Sequence, residues 1–191
     1  MKNLILLSKT AILFCLLSSG AFATPKVNIN TEYYSIHGAT ANELRNEMNT
    51  KSAIKQSGNT YDAYTSWFVN WRFNWNENNG QCAMTSVKST VEVNFTLPKW
   101  ENSNGAAVNL KKRWTHYYNA LIAHENGHKD FGINAAKEVE NHLSVLSAKN
   151  CSRLKSKANS LGKKIIEKYV ALEKKYDENT NHGMKNGAVF P

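Results

Sequence analysis

Residues 119–132 read NALIAHENGHKDFG, and they decide the fold because His124, Glu125 and His128 stand in the apolar register of a long helix. Outward from them, Trp114, Tyr117, Leu121, His124, His128, Phe131, Ala135, Val139, His142 and Leu146 step by three and four. That period predicts one helix starting near Val108 with both imidazoles on its inward stripe. A second stripe from Leu154 through Ile165 to Tyr176 follows a short turn around Asn150–Ser152, so the two helices are expected to fold back as an antiparallel pair.

Upstream the period changes to two. Trp67, Val69, Trp71, Phe73 and Trp75 alternate with polar or outward residues, and after NENNGQ a second series runs from Thr85 through Val87, Val91 and Phe95 to Leu97. The two predict a hairpin whose tryptophans fill a core rather than form a carbohydrate platform. Pro98 is expected to end it. Glu32–His37 reads as a short strand, and Thr40 with Glu43 forms a capping box that opens a helix to about Asn49.

The first 23 residues carry Lys2 and Lys9, an apolar run and a small-residue AFA before Thr24, the layout of a cleaved secretory signal. A lipid anchor on Cys15 is the competing reading, disfavoured by Phe14 just before it. Removing the leader leaves 24–191 as a single domain with 22 basic against 15 acidic groups, a net charge of +7. A basic exported chain suits anionic cell-envelope polymers, whereas nucleic acid is excluded by export and by lysines scattered without a binding motif. No second apolar run is long enough for stable membrane insertion after signal cleavage. The expected location is the periplasm or the medium, where Cys82 and Cys151 form a disulfide.

His124-Glu125-Asn126-Gly127-His128 fits H-E-x-x-H. Imidazoles at i and i+4 lie one above the other and reach one cation, while Glu125 addresses a metal-bound water as general base. Zinc is the expected ion, because two buried imidazoles need a partner that an apolar core cannot give. A third ligand is required. His116 lies about 12 Å before His124 along the axis and His142 about 21 Å beyond His128, so neither joins from a straight helix. Reversal near Asn150 brings His128 level with about Leu172 and His124 with about Tyr176. His182, in the following YDENTNHG, is therefore the expected third metal ligand, with Glu173 as the alternative. Asp130 is a candidate for orienting an imidazole, and Tyr169 or Tyr176 for donating to an oxyanion.

DAYTSWFVNW, LPKW, the Cys82 and Cys151 pair, HENGH and the closing YDENTNHG together resemble the bacterial predicted secreted zinc-dependent protease family catalogued as domain of unknown function 922. The resemblance runs from about Tyr33 to Gly187. It implies a periplasmic or secreted metallopeptidase acting on a peptide or protein substrate. The combined expectation is an α+β fold: a small antiparallel sheet packed on a long zincin-type active-site helix and an antiparallel C-terminal helix. The catalytic residue is Glu125 and the zinc ligands are His124, His128 and His182. Two rival readings share the site, a non-catalytic zinc-stabilised envelope-binding module and a peptidoglycan-peptide amidase.

Overall fold

The computed structural model describes residues 24–56 and 58–190, and the expected leader at residues 1–23 lies outside them. In chain order the elements are β1 (Lys26–Ile36), α1 (Ala41–Lys51), β2 (Lys55–Gln56), β3 (Asn59–Thr60), β4 (Tyr64–Asn78), β5 (Gln81–Trp100), α2 (Val108–Ser144), β6 (Ser147–Ala148) and α3 (Cys151–Thr180). The fold is α+β. Thr40 and Glu43 make the expected reciprocal cap on α1, satisfying backbone donors that the first turn leaves unpaired.

β4 and β5 pair as the expected hairpin, closed by Asn79 and Gly80, both in the left-handed region (φ 51° and 76°) that a two-residue turn demands. The register slips once, between Asn74 and Trp75. A slip of one residue exchanges the faces of a strand. Thr85, expected inward, is consequently exposed, while Met84 and Cys82 turn in.

The sheet is mixed rather than purely antiparallel. β1 runs parallel to β5, from Lys26 opposite Thr90 to Ile36 opposite Trp100, giving the order β1-β5-β4 with β6 pairing the start of β5. The same pairing explains why Pro98 does not end β5. β4 begins at Tyr64 opposite Thr96, so past Thr96 β5 is bonded only along β1 and tolerates one missing N–H. Where β1 has not yet begun, buried Glu140 on α2 takes its place by accepting hydrogen bonds from the Ser89 N–H and Oγ.

α2 packs its inward stripe on β4 and β5, and α3 packs on α2 in the antiparallel sense. Trp67 is buried and Trp71 half-buried, as core residues, whereas Trp75, expected inward with them, is exposed at the register slip. Trp67 and Trp71 each lie against a glycine whose missing Cβ makes room: a methyl on Gly132 would stand 2.7 Å from Trp67 Cγ, and one on Gly162 2.6 Å from Trp71 Cζ2. Near the end of α2 the buried stripe passes through Leu143, leaving His142 exposed. Cys82 and Cys151 are joined, tying β5 to the first turn of α3.

Candidate metal centre

His124 and His128 project from the middle of α2 towards α3, and both are buried. Their Nε2 atoms lie 3.1 Å apart. Asp177, near the end of α3, places Oδ1 3.1 Å from each of them. Among the described residues these three atoms are a group of nitrogen and oxygen donors close enough together to share one ion. Two ligands bound to zinc at about 2.1 Å in a tetrahedral arrangement stand roughly 3.4 Å apart, so the spacing fits a small divalent cation. The buried Oδ1, although close to both imidazoles, makes no aligned hydrogen bond. A buried carboxylate oxygen without an aligned donor is what a cation would complete.

The surroundings orient the donors. His128 Nδ1 lies 2.9 Å from Glu173 Oε1, which also accepts from Trp67 Nε1 at 3.0 Å. A proton on Nδ1 donated to Glu173 leaves the Nε2 lone pair facing the cluster. His124 is held by stacking instead: the Tyr176 ring lies 4.9 Å away and nearly parallel, at 12°. Gly127 makes this possible, because a Cβ there would fall 2.5 Å from Tyr176 Oη.

Glu125 is buried on the strand side of α2 and accepts from Thr65 Oγ1 at 2.6 Å through Oε2. Burial pushes its carboxyl above the usual range, with the Thr65 bond and the two imidazoles opposing. For His128, burial favours the neutral ring, but Asp177 and Glu173 outweigh it and push the imidazole up to about 10. Asp177 shows the converse: burial would raise it, yet His124 and His128 hold it well below the usual carboxylate range. Asp177, Glu173 and Glu125 thus surround the two imidazoles, and the converging imidazole and carboxylate donors are of the types that hold zinc.

The other expected residues are placed as follows. α3 is capped by Asn181, and Asn181, His182 and Gly183 are all left-handed (φ 50°, 50° and 78°), which turns the chain back over His124. Gly183 lies against that imidazole, where a Cβ would meet Cγ at 2.9 Å. His182 comes to the rim, with Nδ1 3.6 Å from Asp177 Oδ1 and Nε2 3.4 Å from Tyr61 Oη. Glu173 touches His128 rather than the point where the donors converge. Asp130 is exposed beside Lys129, so it orients neither imidazole. Tyr169 donates to Glu138, and Tyr176 to the His124 carbonyl. His116 and His142 are exposed, and neither is among the converging donors.

Sequence reasoning missed Asp177 as a donor. The signal was present: once His124 is level with Tyr176, the next residue on α3 is a carboxylate with ligand chemistry. It also missed Tyr61, which comes from the β3–β4 connection and carries no local pattern.

Residues 31–183 match the family model described as "Bacterial protein of unknown function (DUF922)". No curated protein and no solved structure matches the chain. The match spans the clustered His124, His128 and Asp177 from both helices and most of the sheet, and the chain therefore belongs to the DUF922 family of bacterial proteins.

Proposed function

We propose that this protein is a zinc-dependent metallopeptidase of the periplasm or the medium. The observation that carries the reading is the convergence of His124 Nε2, His128 Nε2 and Asp177 Oδ1 at 3.1 Å beside a buried Glu125. His124, His128 and Asp177 would hold the ion, with His182 at its rim. When bound, zinc supplies a Lewis acid for a substrate carbonyl and makes water more acidic.

The chain's own groups do the rest. Thr65 occupies Glu125 Oε2, and no hydrogen bond among the described residues ties Oε1, which is left to take a proton from the attacking water and return it to the leaving amine. The raised carboxyl makes Glu125 a stronger base than an exposed glutamate. Glu173 fixes the tautomer of His128, and the Tyr176 ring fixes the plane of His124.

A disulfide between Cys82 and Cys151 supports the extracytoplasmic location, and no helix among the described residues is long and apolar enough to cross a membrane. Glu125 favours hydrolysis over a purely structural ion, which needs no general base. The test is Glu125→Gln, with metal content and cleavage of a mixed peptide library measured in parallel. Retained zinc with at least about 100-fold slower cleavage is expected. Equal cleavage by the variant removes Glu125 from the chemistry, and no chelator-sensitive cleavage by the wild type leaves the structural or envelope-binding reading.

A further inference from the structure

The solvent face of α3 carries a charge pattern that the metal centre does not use. Leu154, Ile165 and Tyr176 recur every 11 residues along its packed side, and Arg153, Lys164 and Lys175 recur with the same period, accompanied by Lys157 and Lys168. Eleven residues make three turns of a straight helix to within about 20°. The basic row therefore keeps its bearing for about 33 Å instead of winding into the core. All five side chains are exposed, as are Lys163 and Lys174 beside them, and the acidic groups on that side are Glu167 and Glu178.

A solvated helix face ordinarily alternates its charges so that neighbours at i and i+4 attract. Here Arg153 with Lys157 and Lys164 with Lys168 are like-charged at that spacing, which disfavours the helix. Lys168 is relieved by Glu138 at 2.7 Å, but among the described residues no ion pair holds Arg153, Lys157, Lys164 or Lys175. The outward side of a single helix is a convex ridge, here with Lys163 and Lys174 further round it and Val170 and Leu172 exposed at its flanks. A convex ridge gives a polymer strand no walls to enclose it, whereas a charged surface can meet the whole length of the row.

We propose that the solvent face of α3 docks on an anionic lipid surface, the basic row lying along phospholipid headgroups without inserting a helix into the bilayer. The proposal does not depend on the metal. The test is co-sedimentation of the full chain with vesicles of phosphatidylcholine alone or of equal parts phosphatidylcholine and phosphatidylglycerol. Comparing variants cancels whatever residues 1–23 contribute.

Partitioning onto the anionic vesicles should exceed that onto phosphatidylcholine at least tenfold and be lost in high salt, where charges are screened beyond about 3 Å. Lys157→Glu/Lys164→Glu/Lys175→Glu should abolish the difference while the circular dichroism spectrum and zinc content stay unchanged. Lys111→Glu/Lys112→Glu/Arg113→Glu, the same charge change on α2, should retain most of it. Equal loss in both triple variants would mean that net charge alone acts and would overturn the proposal. So would binding to soluble linear polyphosphate without vesicle preference, or no preference in the wild type. Should the α3 variant lose its fold, the single Lys164→Glu decides by whether it weakens anionic-vesicle binding more than Lys112→Glu does.

Discussion

Gly127 and Tyr176 are in mutual contact across the α2–α3 interface, and the contact exists only because Gly127 has no side chain. A Cβ would stand 2.5 Å from the phenol oxygen and 2.7 Å from Cζ. The same ring stacks on His124, meets His128 edge-on and touches Phe131. The glycine inside H-E-x-x-H thus sets where α3 can lie. Gly127→Ala gains about 1 kcal/mol in helix propensity but forces a wedged ring to move, costing about 1–3 kcal/mol. The net expectation is a protein no more stable than wild type with at least tenfold weaker zinc binding, read by competition titration. A more stable variant with unchanged affinity would refute this role.

Asp177 and His182 make opposite predictions as third ligand. Asp177 Oδ1 sits 3.1 Å from both imidazoles, whereas His182 reaches only Asp177, at 3.6 Å. Asp177→Asn should weaken zinc binding at least about 100-fold, the upper end for loss of an orienting partner, and His182→Ala by no more than about tenfold. The reverse ranking in metal-affinity measurements would restore His182 as the ligand.

The Cys82–Cys151 bridge closes a 69-residue interval and fixes the end of α3 remote from the metal centre. Loop-closure entropy assigns such a bridge on the order of 4 kcal/mol. The doubly substituted Cys82→Ser/Cys151→Ser protein should lose about that much unfolding free energy in urea titration. A midpoint equal to that of the oxidised wild type would show that the bridge adds nothing.

Away from the candidate metal centre, Tyr117 donates to Asp62 Oδ2 at 2.6 Å, and Arg45 grips the same carboxylate through two bonds of 2.8 Å. Burial first, and then the charge of Asp62, raise the Tyr117 phenol well above its ordinary value. A phenol raised on folding stabilises the native state fully below its unfolded pKa of about 10, and this contribution falls as pH rises beyond that value. Wild-type stability should therefore drop on the alkaline side of about pH 10. Tyr117→Phe should flatten that slope while lowering stability at neutral pH by about 1–2 kcal/mol. Parallel slopes for the two proteins would eliminate Tyr117 as the cause.

What the residues reveal in order along the chain is what neighbours decide among themselves. The cap at Thr40, the turn at Asn79-Gly80, the strand alternation in β4 and the three-and-four spacing through His124 and His128 each depend on residues a few positions apart. So does the arithmetic that set His124 level with Tyr176, because a helix advances by a fixed rise. What the chain's order does not carry is pairing between distant segments. β1 could have met either edge of the hairpin in either sense, and its parallel seat on β5 rests on contacts 64 positions apart. The slip at Asn74/Trp75, which turns Thr85 outward, depends likewise on the partner strand. Asp177 became a donor, and Glu173 the partner of His128, only when the rotation of α3 about its own axis was fixed by packing against α2 and by Trp67. Local periodicity sets how far along a helix a group lies; tertiary packing sets which way it faces, and the convergence of His124, His128 and Asp177 required both.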